Sequence, residues 1–205
     1  MSNWIKETIY PNGVLINRLN IHDAKKLAAL EFEETAVAAI KILQRRPKVN
    51  NIMQLAKLHK LMFYKLYDWA GKYRWGNFQK DGYTFFDYKR FRFAEIDINN
   101  LLQEQSNKRT LSALDYAQLL DLINYMHPFR EGNGRSARLF LQCYAANHQQ
   151  IIDYQKNNDQ MILAQQNADT EAIAKLIKVE NTMTREIAFQ QLIVKRNAER
   201  KNKNL

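Results

Sequence analysis

The sequence predicts an all-α domain carrying one small β-hairpin. Only three prolines and six glycines interrupt 205 residues, so breaks are few and the segments between them are long. Apolar residues recur at spacings of three and four along most of those segments, the period of a helix face packed on a core. One stretch departs from the pattern. "YRWGNFQKDGYTFF", residues 73 to 86, is dense in aromatics and broken by Asp81-Gly82, which reads as two short strands and a tight turn.

The first helix is expected over 22–45, with Asp23 as its cap and Leu27, Leu30, Ile40 and Leu43 on one side. Pro47 in "RRPKVNN" breaks it. Asn50 or Asn51 opens a second helix whose core stripe is Ile52, Leu55, Leu58, Met62 and Leu66, and Gly71 is its expected terminator. His59, next to Leu58, reads as a packed, hydrogen-bonded core histidine. After the hairpin, helices are expected over about 88–106 and 112–126, the latter opened by a capping box of Ser112 and Asp115. "RSARLFLQCYAANH" restarts a helix after Gly134, and Asp169 and Asn181 open two more.

Composition narrows the function classes. A formal net charge of +10 permits anionic partners, but much of the excess sits in the C-terminal "VKRNAERKNKNL". No zinc-finger spacing or RNA-binding aromatic signature accompanies it, so direct nucleic-acid binding is not expected. No apolar run reaches the length of a membrane span, and "MSNWIKETIY" lacks the layout of a signal peptide. Cys143 is the single cysteine, which excludes an internal disulfide and fits a reducing compartment. The expected location is cytoplasmic, with delivery into another cell left open.

The chemistry concentrates in "HPFREGNGRSAR", residues 127–138. Pro128 and Gly132 force a loop between two helices. Gly132 and Gly134 let the backbone come close to a ligand, and the next helix opens with unpaired N–H groups and the positive end of its dipole. This is an anion cradle suited to phosphate. Arg135 and Arg138, three residues apart, can reach around one polyphosphate, and Asn133 adds a side-chain donor. His127 can serve as general base toward a hydroxyl, and Glu131 can hold Mg²⁺ across two phosphates. His127 and Glu131 as a metal pair is the competing reading, but the loop takes them off the common helix face such a pair uses. The Walker spacing is absent.

The string resembles, at every defined position, the signature HPF-x-[DE]-GNGR-x-x-R of the Fic (Fic/Doc) family. "LHKLMFYKLYDWAGKYRWGNFQK" and "YPNGVLINRLNI" are similar to further blocks of that family, so the resemblance covers roughly 10–180. It implies a helical Fic domain over 1–180 and a separate C-terminal helix with a basic tail over 181–205. It implies AMP transfer from Mg-ATP to a Tyr, Thr or Ser hydroxyl of a target protein. His127 would be the base, Glu131 the Mg²⁺ ligand, and Gly132, Asn133 and Gly134 the anion hole. Arg135 would hold the β-phosphate and Arg138 the γ-phosphate. The hairpin becomes a flap that docks the target, with Phe78, Lys80 and Phe85 at the family-like positions.

"TMTRE" resembles the [ST]-x-x-x-E inhibitory pattern of the family, which would put Thr182 and Glu186 on one helix face and Glu186 against Arg138. A solvated glutamate on an amphipathic helix packed through Ile187, Phe189 and Leu192 is the alternative. Partners implied are a protein substrate with an exposed hydroxyl, with a small antitoxin and a homo-oligomer left open, and no membrane. Two other functions stay open: transfer of another nucleotide-derived or phosphoryl group, and a silenced nucleotide-responsive binding module. Within the first, the GNGR form argues against the phosphoryl-transferring variants, and the intact His127 and Glu131 argue against the second.

Overall fold

The computed structural model describes residues 3–80, 82–154 and 159–202. Asp81 of the predicted turn and 203–205 of the predicted tail lie outside the described residues. The described residues form a helical domain with nine α-helices and two two-stranded antiparallel sheets.

A short turn of helix, α1 (Asn3–Lys6), leads to α2 (Ala24–Gln44). Asp23 caps α2 as expected, accepting the Lys26 N–H at 2.8 Å. Helix α3 (Met53–Phe63) buries the predicted stripe. It stops well short of Gly71, because the chain tightens into turns at Phe63 that carry both Leu66 and Tyr67 into the core. Gly71 instead sits in a later turn at φ +77°. Strands β1 (Gln79–Lys80) and β2 (Tyr83–Thr84) form the predicted hairpin. A 3₁₀ turn at Tyr88–Arg90 then runs into α4 (Phe91–Ser106). The capping box of Ser112 and Asp115 opens α5 (Ala113–Met126).

Helix α6 begins at Asn133, before rather than after Gly134, and runs to Asn147. From Ser136 to Ala146 all its residues are buried, so the domain is built around it. Strand β3 (Gln150–Tyr154) follows, then α7 (Asp159–Gln166) and α8 (Thr170–Lys175), which Asp169 caps at 2.9 Å. Asn181 does not start a helix. It ends strand β4 (Ile177–Asn181), which pairs with β3 from Gln150↔Asn181 to Tyr154↔Ile177. Local periodicity cannot reveal this pairing, because the partner strand lies beyond two intervening helices. The last helix, α9 (Arg185–Asn202), buries Ala188, Phe189 and Leu192 against the domain. Among the described residues no helix is long and apolar enough to cross a membrane.

Candidate active site

The loop joining α5 to α6 is held in one shape by its own residues. His127 ends α5 in the left-handed region, φ 43°, and Gly132 caps α6 at φ 80°. Phe129, fully buried, anchors the loop in the core. Asn133 closes it: its Oδ1 accepts the Phe129 N–H and its Nδ2 donates to the Phe129 carbonyl, both at 2.8 Å. The Asn133 side chain, expected as a donor to an anion, is therefore committed inside the loop. What it can offer a ligand is its backbone N–H.

The two glycines answer different needs. A Cβ on Gly132 would lie 2.3 Å from Cζ of Phe63, and its positive φ already disfavours a side chain. A Cβ on Gly134 would meet nothing within 4 Å. Gly132 is required by packing and conformation, whereas Gly134 leaves open space over the helix terminus. The N–H groups of Asn133, Gly134 and Arg135 precede the first intrahelical bond, from Ser136 N–H to the Gly132 carbonyl at 3.0 Å.

His127 lies beneath the hairpin. Its imidazole stacks on Phe85 with centroids 3.7 Å apart, and Phe78 follows at 5.7 Å. Burial under these rings, aided by the charges of Arg74 and Lys80, pushes its pKa down to about 3. Nδ1 is buried without a partner of hydrogen-bonding geometry, and the nearby Asn124 carbonyl offsets only part of that burial. Of the three flap residues expected at the site, Phe85 and Phe78 cover the histidine, while Lys80 stands exposed on β1.

Glu131 is exposed, and its Oε1 accepts the Gly132 N–H at 2.9 Å and Nη2 of Arg135 at 3.3 Å. Oε2 is left for another partner. A hard cation needs little more from protein when phosphates and water complete its shell, so Glu131 fits a Mg²⁺ carried in with a polyphosphate. Among the described residues there is no cluster of three His, Cys, Asp or Glu that could hold a metal without such a ligand.

The two arginines part company. Arg135 points to Glu31 of α2, 2.6 Å away, with its guanidinium 4.9 Å from the centre of the Phe63 ring. Arg138 is buried, and its Nη2 meets Asp153 of β3 at 3.2 Å. Lys195 of α9 reaches the other oxygen of Asp153 at 2.7 Å. Glu186 is not the acid on Arg138. It lies exposed in the first turn of α9, whereas Arg138 faces β3 and the middle of that helix. Thr182 does not share a helix face with Glu186 either. The helix starts later, with Thr184 accepting the Ile187 N–H, and the Thr182 hydroxyl donates to the carbonyls of Gln149 and Thr184.

Three supporting groups carry roles the sequence reading did not assign. His59, 0% exposed, is the hydrogen-bonded core histidine expected, but its partners are the site's own backbone. Nδ1 accepts the Gly71 N–H at 2.8 Å, so Nε2 carries the proton and donates to the Glu131 carbonyl at 3.0 Å. The ring lies between Phe63 and Phe129, and burial lowers its pKa to about 4. Arg74, also buried, binds the other end of the loop. Its Nε donates to the His127 carbonyl at 2.9 Å, Nη1 to Gly76 at 2.6 Å, and Nη2 to Phe86 and Met126. One guanidinium thus ties the hairpin to the backbone of His127. The third group is Glu31, a carboxylate on the buried i, i+4 stripe Leu27, Glu31, Thr35, Ala39. A charge on a core stripe was the available signal.

The chain is similar to known proteins in sequence and in fold. The family model described as Fic/DOC family matches residues 51–145. "Probable protein adenylyltransferase Fic" of Salmonella typhimurium is 30% identical over 155 residues, covering 72% of this chain and 76% of the relative. "Protein adenylyltransferase VbhT" of Bartonella schoenbuchensis is 32% identical over 152 residues, which is 70% of this chain but 31% of that longer protein. Among solved structures, BepC of Bartonella tribocorum with bound AMPPNP superposes with a TM-score of 0.75 at 19% identity, covering 88% of this chain and 100% of that one. The N-terminal Fic domain of a Bartonella quintana protein with bound ADP gives 0.76 at 22%, covering 87% and 96%. These structural likenesses show a shared fold. With the sequence match reaching three quarters of the Salmonella relative, the chain belongs to the Fic/DOC family.

Proposed function

We propose that the protein transfers AMP from Mg-ATP to a hydroxyl of a target protein. The observation that carries this reading is the folded loop itself. A histidine ends one helix, the open terminus of the next begins six residues later, and Gly134 keeps that terminus clear. The relatives named protein adenylyltransferases support the choice of transferred group.

In this mechanism the N–H groups at the start of α6 and Arg135 hold the α- and β-phosphates, and Arg138 takes the γ-phosphate. Glu131 would hold the Mg²⁺, which would neutralise phosphate charge. The target segment adds to the hairpin edge and its hydroxyl enters in place of Phe85. Nε2 of His127 takes the hydroxyl proton, since Nδ1 is buried. The hydroxyl oxygen bonds to the α-phosphorus, the α–β bridging bond breaks, and pyrophosphate leaves with that electron pair. The covered imidazole is neutral at pH 7, and lifting Phe85 relieves the burial that depresses it, so it becomes a stronger base as the target arrives. Residues 1–180 would carry this chemistry, and residues 181–205 the C-terminal helix. Regulation through that helix finds no support in Glu186. One contact of α9 with the motif runs through Lys195 and Asp153 to Arg138.

Incubation with Mg²⁺ and ATP labelled at the α-phosphate, alone and with cell lysate, tests the reading. Protein-bound label that disappears in His127→Ala is the expected result. Label arriving only from γ-labelled ATP would replace AMP transfer by phosphoryl transfer, and label from neither would leave the binding-module reading.

A further inference from the structure

Arg135 is aimed from outside its own loop. Its Nη2 meets Oε1 of Glu31 at 2.6 Å, and the Glu31 Oε2 accepts the hydroxyl of Tyr67. Glu31 is 8% exposed and Tyr67 1%, so this acid is held among packed side chains. Tyr67 stacks on Trp69 with centroids 4.3 Å apart, which fixes the phenol. Burial, then the Glu31 charge, push the Tyr67 pKa upward, so it stays a donor at every physiological pH.

Such a chain is costly to build. A buried carboxylate loses hydration, which is recovered only with good partners, and here one partner is a motif residue. A guanidinium on a free side chain samples many rotamers and must be ordered when it binds, at a cost in affinity and rate. Glu131, the second carboxylate on Nη2, cannot do the ordering if it is to hold a cation. Its contact is longer, 3.3 Å, and its side chain is 47% exposed. Both acids meet the same nitrogen, which leaves Nε and Nη1 for a phosphate.

We infer that Glu31 and Tyr67 form a positioning pair for Arg135: they hold its guanidinium over Phe63, ready for the phosphate chain before nucleotide arrives. This rests on the reading of Arg135 as a phosphate-holding residue. Neither member of the pair touches substrate.

The test has two arms. In nucleotide-free protein labelled with ¹⁵N-arginine, the Arg135 Nη2 signal, assigned by its loss in Arg135→Ala, should be resolved and slow to exchange at low temperature, because the ion pair with Glu31 holds that nitrogen and hinders rotation about its bond to Cζ. It should broaden or vanish in Glu31→Gln, and weaken in Tyr67→Phe. In the activity arm, Glu31→Gln should lower kcat/KM for ATP by about tenfold to a hundredfold, the usual effect of a misplaced catalytic group. Tyr67→Phe should give a smaller loss in the same direction. In an Arg135→Ala background, Glu31→Gln should cost nothing more, because the residue it acts through is gone. Thermal unfolding of each variant separates these effects from general destabilisation. An unchanged Arg135 signal in Glu31→Gln, or equal losses with and without Arg135, overturns the inference. Absence of AMP transfer in wild-type protein removes the function reading instead, and the NMR arm still decides whether Glu31 holds Arg135.

Discussion

Acid should loosen this protein through His59, and the size of the effect follows from its surroundings. In the folded chain the ring is fully buried and its pKa is about 4, against an ordinary value of 6.5. Protonation would place a hydrogen on Nδ1, where the Gly71 N–H already points, and would charge a ring lying between Phe63 and Phe129. The unfolded chain therefore takes up the proton first. Stability from this residue is whole above pH 6.5 and falls as pH drops through the interval from 6.5 to 4. Between pH 7 and pH 5 the linkage amounts to about 2 kcal/mol, a large share of an ordinary domain's stability. Urea unfolding at the two pH values measures it. His59→Gln, whose amide keeps one donor and one acceptor but cannot titrate, should lose about 2 kcal/mol less than wild type over the same interval. His127 is lowered in the same direction and is common to both proteins, so it cancels in the comparison. Equal pH dependence in the two proteins would refute the reasoning. So would a His59 ring resonance in wild type that titrates between pH 5.5 and 7, an interval about its ordinary value.

Other parts of the site make separate predictions. Gly132→Ala should destabilise by about 2–4 kcal/mol in thermal unfolding, from its positive φ and the overlap with Phe63. Gly134→Ala should leave unfolding unchanged or slightly improved, yet weaken Mg-ATP binding in calorimetry, because its methyl would stand in the open space over the helix terminus. Arg74→Lys should cost about 3 kcal/mol and reduce labelling, since one ammonium cannot reach the carbonyls that the guanidinium fork bridges. Phe85→Ala should raise the His127 pKa from about 3 toward its ordinary value, moving the acid limb of the rate profile to higher pH. Glu186→Gly should leave labelling with α-labelled ATP unchanged, and a rise would restore it as a brake.

Local rules made much of this protein legible in its sequence. The Asp23 cap, the Ser112–Asp115 box and the stripe from Ile52 to Met62 each depend on residues within a turn or two of one another, and each is found as expected. The motif could be placed on a loop because Pro128 and Gly132 restrict the backbone whatever packs around them. The sequence also carried the signature that pointed to the family. Tertiary structure decided which groups face which. Whether Asn133 offers its side chain or spends it on Phe129, and whether Arg138 meets Glu186 or Asp153, depends on pairings between segments far apart in the chain. The β3–β4 pairing ended the expected helix at Asn181 and moved its start to Arg185, which carried Glu186 away from the motif. His59, Arg74 and Glu31 look like ordinary core or helix residues in the sequence. Only the packing of α2, α3 and the hairpin against one loop turns them into its supports, because a buried polar group takes its partner from whatever the fold brings within reach.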